Sequence, residues 1–270
     1  MSRGKLYVVG FGPGSPEHMT AKAERAIKEA DVVTGYTVYI DMIKDHFPSD
    51  KRYVSTGMMK EVQRCRAAVE EASKGQTVAM VSSGDPGIYG MAGIIYQTAL
   101  GMDADIDIEV VPGMTAASTA AAVLGAPLMH DLVIVSLSDL MTPLDTIMNR
   151  VDCAGRGDFV TCIYNPKSKK RTRYLEQASD ILMRYRRPDT PVGIVRNAGR
   201  EDETKSITTL EHLGEADVDM FCVVIVGNSQ TYVEDGVMVT PGDTTRRRYL
   251  DLRDSQARGH REAEHGDHNL

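Results

Sequence analysis

The sequence predicts an α/β protein built of two α/β domains, and three observations carry that expectation. Strand-length apolar runs alternate with helix-period segments from residue 6 onward. The alternation breaks at Gly125-Ala126-Pro127 and then resumes. The 270 residues are enough for two modest cores without disulfides or metal.

In the first half, residues 6–9 read as a strand, 21–30 as a helix and 31–34 as a second strand, the rhythm of a βαβ unit. Within 60–74, Val62, Cys65, Val69 and Ala72 recur at three- and four-residue spacing. That spacing predicts a helix with those residues inward and Arg64, Arg66, Glu70 and Glu71 toward water, ended by Gly75. Strands follow at 77–82 and 106–111, with a small-residue helix over 89–100 between them. The break at 125–127 marks a hinge, giving domains 1–125 and 126–242. The second half shows strands near 132–137, 159–164, 191–195 and 221–226, and helices near 143–153 and 171–185. Residues 243–270 turn polar, with almost no large apolar residues from 254 on, and are expected to be a disordered tail.

Composition narrows the function. Apolar residues make up 42% and charged residues 26%, as in an ordinary globular chain rather than a fibrous or disordered one. The longest apolar runs are strand-sized, far short of the roughly 20 residues that a membrane helix needs, so no membrane partner is expected. The N-terminal residues carry no signal-peptide pattern, which predicts a cytoplasmic protein. Lys plus Arg number 31 against 38 Asp plus Glu, a net charge of −7 that argues against nucleic acid as partner. Cys65, Cys153, Cys162 and Cys222 are scattered without a C-x-x-C pair, so they read as small core residues and no metal site is expected. Met141 and Met148 read as core filler.

Three strand ends carry chemistry. The first is Gly10-Phe11-Gly12-Pro13-Gly14. It approaches a dinucleotide fingerprint, but Ser15 stands at the third glycine and Pro13 lacks an N–H donor. Gly35 and Tyr36 stand where a ribose-binding acid would be wanted. The second is Ser82-Ser83-Gly84-Asp85-Pro86-Gly87-Ile88-Tyr89, and the third is Val111-Pro112-Gly113-Met114-Thr115-Ala116. Converging at the carboxyl ends of strands, the trio would form a ligand crevice. Asp85 also suits a turn cap and Thr115 a helix N-cap.

At these residues the chain resembles the tetrapyrrole methylase family, over about residues 5–240. Within it the chain is most similar to the C17-methyltransferases that act on precorrin-3B or cobalt-factor III in cobalamin biosynthesis. The phrases Ser83-Gly84-Asp85-Pro86-Gly87-Ile88-Tyr89-Gly90, Tyr164-Asn165-Pro166-Lys167-Ser168, Arg196-Asn197-Ala198-Gly199-Arg200 and Val226-Gly227-Asn228-Ser229 carry that narrower match. The resemblance implies S-adenosylmethionine in a cleft between two α/β domains, a tetrapyrrole substrate and a homodimer. It implies that Pro13, Ser83, Gly84, Asp85, Ile88, Thr115 and Ala116 line the cofactor. Tyr164 and Asn165 would reach its methionine part, and Ala198 and Gly227 its adenine. One departure stands out: Thr240-Pro241-Gly242-Asp243 replaces the subgroup's usual Thr-Pro-Arg-Gly-Tyr, so the substrate contact of that arginine is not expected here unless the run Arg246-Arg247-Arg248 substitutes.

Lys167, Lys169, Lys170, Arg171 and Arg173 crowd five positive charges into one stretch, suited to hold substrate carboxylates, with Arg196 and Arg200 extending the set. A solvated surface is the bland alternative. His130, just past the hinge, is a candidate proton carrier. Arg196 and Asn197 are candidates to steady charge during ring contraction. His260, His265 and His268 are given no role. The rival readings are a methylase acting on ribosomal RNA or on a diphthamide precursor, a nicotinamide oxidoreductase and a noncatalytic anion-binding module.

Overall fold

The computed structural model describes residues 3–47 and 50–242. The tail 243–270, with Arg246 to Arg248 and the three tail histidines, lies outside the described residues. The chain opens with β1 (Gly4–Gly10), α1 (Ala21–Glu29), β2 (Val32–Tyr36), α2 (Thr37–Ile43), β3 (Arg52–Thr56), α3 (Glu61–Ser73), β4 (Thr77–Ser82), α4 (Ala92–Gly101), β5 (Ile106–Val111) and α5 (Ala116–Leu124). The five strands form one sheet in the order β3-β2-β4-β1-β5, parallel at every pairing.

A parallel sheet needs cover on both faces, because its crossovers carry helices to each side. Strand alternation supplies the two faces. Leu6, Val8, Val78 and Met80 pack with Cys65, Ala68 and Val69 of α3 and Ile95 of α4. Tyr7, Val9, Val33, Ala79 and Val81 pack with Ala23 and Ile27 of α1 and Ile40 and Ile43 of α2. Each fully buried aliphatic side chain in these layers contributes roughly 1.5–3 kcal/mol.

The second unit follows a short strand β6 (Gly125–Ala126): β7 (Leu132–Ser136), α6 (Leu144–Arg156), β8 (Val160–Tyr164), α7 (Tyr174–Leu182), β9 (Pro191–Arg196), β10 (Thr204–Thr209) and β11 (Cys222–Val226). Its sheet is mixed, ordered β10-β9-β11-β8-β7, with only β7 and β8 parallel. One face, with Val135, Ile163, Ile194 and Val224, meets α6, α7 and a 3-10 helix at Leu210–Glu215. The opposite face, with Cys162, Val195, Val223 and Ile225, packs on Ala117, Ala120, Ala121 and Leu124 of α5. A last hairpin, β12 (Tyr232–Glu234) and β13 (Val237–Val239), pairs with β6.

Several expectations are corrected. Arg64 is not turned to water but buried at 4% exposure, donating to Thr56 Oγ1 at 2.8 Å and to the Gly57 carbonyl at 3.0 Å, while Val62 is exposed. A guanidinium can sit on an inward helix face when its donors find acceptors there. Cys153 is exposed, unlike the other three cysteines, because it lies on the outer side of α6. Met141 is 91% exposed in a loop and fills no core, whereas Met148 does pack against the second core. The helix expected over 89–100 starts at Ala92, since Tyr89 has φ +51 and cannot continue a right-handed turn. β3 and β10 carry few apolar residues, and α2, though rich in them, is only seven residues long, so the sequence pattern anticipates none of the three.

Candidate active site

Three adjacent parallel strands, β4, β1 and β5, end side by side, so their glycine-bearing turns meet at one end of the sheet. The contact is backbone to backbone. Gly12 N donates to the Gly84 carbonyl at 3.2 Å and Gly84 N to the Gly12 carbonyl at 2.8 Å. A Cβ on Gly113 would fall 2.2 Å from the Gly84 carbonyl oxygen and 2.5 Å from that of Gly10, so only glycine permits the approach. Asp85 closes the arrangement: Oδ1 accepts the Gly87 N–H at 2.8 Å and Oδ2 the Gly113 N–H at 3.1 Å. The carboxylate thus both caps its own turn and joins the second turn to the third.

The second unit meets this cluster through specific contacts. Gly199 lies against the Pro13 ring, 2.7 Å from Pro13 Cγ at its would-be Cβ, and Arg200 Nε donates to the Pro13 carbonyl at 2.9 Å. Ala198 packs half-buried beside α5. The Tyr164 hydroxyl sits 2.6 Å from Thr115 Oγ1 and accepts the Ala117 N–H at 2.7 Å. Burial pushes the Tyr164 phenol above its ordinary pKa, so the group remains a neutral hydroxyl. Thr115 does occupy the N-cap position of α5, but its side chain accepts no helix N–H. Tyr164 takes that role from the other unit. Asn165 has φ +51 and its Nδ2 donates to Ser136 Oγ at 2.9 Å.

Contacts therefore bring Pro13, Gly84, Asp85, Thr115, Ala116, Tyr164 and Ala198 to one junction, while Ser83, Ile88 and Asn165 adjoin them along the chain. Gly227 follows β11 and its N–H donates to the Pro191 carbonyl at 2.9 Å; its Cβ position is filled by Thr231. The loop beyond it is anchored by a residue the sequence did not single out. Arg186, buried, donates to backbone carbonyls of Ala154 and Phe159 and lies 3.9 Å from Asp158, which accepts both the backbone N–H and the hydroxyl of Ser229. Desolvation lowers the Arg186 pKa to about 10. Among neighbouring arginines, nothing in the sequence marks this one as interior.

Three expected residues point elsewhere. Arg196 shares the sheet face of Ile194, away from α5, where Asp219 Oδ2 engages it at 2.7 Å and Asp217 at 3.4 Å. Arg196 and Asp217 line an open groove of about 620 Å³ with Thr204, Ser206 and His212, on the far side of the sheet from the junction. Asn197, at φ +52, donates to Asp202 at 2.7 Å and shapes the β9–β10 turn. Arg171 is not a free cation: Nη1 donates to the carbonyls of Leu137 at 2.8 Å and Asn165 at 3.2 Å, fastening the loops after β7 and β8. Lys169, Lys170 and Arg173 are exposed beside it, Lys167 is half-buried, and Arg173 meets Glu176 at 3.2 Å. His130 Nδ1 accepts the Asp131 N–H at 2.8 Å.

The geometry does not suit a dinucleotide. α1 begins only at Ala21, well past Gly14, and its N-terminus is capped by Thr20. The N-terminus of α5 is taken by Tyr164, and the Asp85 carboxylate would repel a pyrophosphate. Backbone-lined space beside the Asp85 carboxylate remains. Gly84, at φ +69, has nothing within 4 Å of its would-be Cβ and so faces open space beside the strand ends. Backbone groups with one carboxylate at that place suit a cationic ligand better than a polyanionic one.

Comparison with known proteins agrees. The family described as Tetrapyrrole (Corrin/Porphyrin) Methylases matches residues 5–214. A protein of Salmonella typhimurium named a probable cobalt-factor III C(17)-methyltransferase is 48% identical over 236 residues, covering 87% of this chain and 98% of that protein. The crystal structure of the methyltransferase CobJ superposes with a TM-score of 0.82 at 32% identity, covering 88% of this chain and all of that one. The uroporphyrin-III C-methyltransferase from Thermus thermophilus, solved with S-adenosylhomocysteine, shares the fold at TM-score 0.63 and 24% identity, covering 83% and 92% of the two chains. With its three laced turns, its two-unit α/β architecture and a match spanning most of its length, the chain belongs to the tetrapyrrole (corrin/porphyrin) methylases.

Proposed function

We propose that the protein methylates C17 of cobalt-factor III or precorrin-3B from S-adenosylmethionine, with contraction of the ring, in cobalamin biosynthesis. The convergence of the β1, β4 and β5 turns on Pro13 and Tyr164 carries the reading, together with the identity to a C17-methyltransferase over nearly the whole of that relative. Pro13, Ser83, Gly84, Asp85, Ile88, Thr115 and Ala116 hold the cofactor from the first unit. Tyr164, Asn165, Ala198 and Gly227 hold it from the second. When bound, S-adenosylmethionine supplies a methyl already activated on a sulfonium.

The chain's residues then have to align an electron-rich pyrrole carbon with that methyl and exclude water, which asks for shape more than for an acid or base. Lys167, Lys169, Lys170 and Arg173 hold peripheral carboxylates of the substrate. His130 moves a proton during the rearrangement that follows methylation. Arg196, held by two aspartates, takes no part in these steps. The protein works in the cytoplasm as a homodimer, which sedimentation velocity checks.

Calorimetry with S-adenosylhomocysteine should give a micromolar dissociation constant, about 7–8 kcal/mol, with no binding of NAD. Anaerobic incubation with each precursor, followed by mass spectrometry, should show one added methyl. Carbon labelling should place it at C17, with C20 outside the ring. Methylation elsewhere without contraction would remove the C17 assignment and keep the family.

A further inference from the structure

Tyr89 follows the β4 turn and holds φ +51, a left-handed conformation that bulky residues rarely adopt and that persists only where the surroundings over-determine it. The residue is 56% exposed, yet its hydroxyl is fixed across the junction. The hydroxyl donates to the Ile134 carbonyl at 3.1 Å and accepts the Ser136 N–H at 3.1 Å. β7 is an outer strand of the second sheet, so one phenol from the first unit occupies hydrogen-bonding groups on its open edge. The ring also leans on that of Tyr164, centroids 5.9 Å apart.

The side chain is thus held at both ends, at its backbone by the turn that Asp85 closes and at its hydroxyl by β7. An exposed aromatic fixed in this way has already lost its rotamer freedom, and a flat ligand laid on it meets no further ordering cost there. The basic run answers the carboxylates at a tetrapyrrole's rim, but nothing in that run answers its broad conjugated face. We propose that Tyr89 is the platform on which the macrocycle face of the tetrapyrrole rests, and so a determinant of substrate choice. The proposal rests on the methylase reading above.

Tyr89→Phe and Tyr89→Trp keep a ring and lose the cross-unit hydroxyl contacts, whereas Tyr89→Leu loses both. With cobalt-factor III as substrate, Phe and Trp should raise KM about threefold. Leu should raise it about tenfold further, equivalent to about 1.4 kcal/mol. The dissociation constant of S-adenosylhomocysteine should stay within about twofold in every variant, which also reports that each is folded. Equal KM values for Phe and Leu would overturn the platform, leaving only a clasp between units. So would a parallel loss of S-adenosylhomocysteine affinity. If the wild-type protein binds S-adenosylhomocysteine but methylates no tetrapyrrole, the functional reading fails and the platform with it.

Discussion

Both carboxylate oxygens of Asp85 accept backbone N–H groups from two different turns, so the residue acts on geometry as much as on any ligand. Asp85→Ala should lower stability by about 1.5–3 kcal/mol, the range for hydrogen bonds to a charged acceptor, and weaken S-adenosylhomocysteine binding. Urea denaturation and calorimetry on the same preparation check both effects, and Asp85→Asn should recover part of the stability. The cysteines offer a second test. Burial pushes the thiols of Cys65 and Cys162 up to about 12 and raises that of Cys222, while Cys153 is exposed. A thiolate is the reactive form, so native protein should take up one equivalent of an aromatic disulfide reagent, at Cys153, and all four cysteines should react in denaturant.

At the scale of elements, Gly113 and Gly93 make opposite predictions. Gly113→Ala drives a methyl into two carbonyl oxygens that no side-chain rotation can move, so the turns must part. The variant should lose more than about 3 kcal/mol, or fail to bind S-adenosylhomocysteine if it folds. Gly93 lies exposed inside α4 with nothing within 4 Å, and Gly93→Ala should stabilise by about 0.5–1 kcal/mol. Glu109 of β5 joins three elements, at 2.8 Å from both Lys22 of α1 and Lys5 of β1. Lys22 first and Lys5 second hold its carboxyl down to about 2, below the ordinary 4.5. A depressed carboxyl stabilises the fold at neutral pH and loses that contribution as pH falls from 4.5 toward 2. Glu109→Gln should therefore be less stable than wild type at pH 7, by under about 1 kcal/mol for so exposed a group, and the gap should close across that window. Chemical denaturation at a series of pH values reads it.

Over the whole molecule a net charge of −7 coexists with a local basic run at 167–173. Simultaneous replacement of Lys169, Lys170 and Arg173 by Gln should raise KM for the tetrapyrrole by up to about tenfold at low salt and flatten its salt dependence. S-adenosylhomocysteine affinity should hold. Arg171→Gln should behave differently, lowering stability, because its guanidinium fastens two loops through backbone carbonyls. Kinetics at two ionic strengths, with melting curves, separate the two behaviours. Arg171 and Lys170 are adjacent and alike in sequence, and only the path of the chain around them tells them apart.

Local physical chemistry made much of the molecule legible from the residues alone. Strand-length apolar runs and segments of period 3.6 mark strands and helices, as at β1, α1, α3 and β4. Glycines beside strand ends announce close backbone approach, so the three turns that meet could be named in advance. Features that arise where distant segments meet were not legible. Arg64 reads as a surface charge until Thr56 and the Gly57 carbonyl come within reach of its donors. Arg196 reads as a substrate anchor until Asp217 and Asp219 close on it. The cap of α5 is a tyrosine from the second unit, and the open edge of β7 is filled by a tyrosine from the first. Hydrogen-bond partners and burial are properties of the neighbours that folding supplies, and a period in the sequence records only which face of an element turns inward.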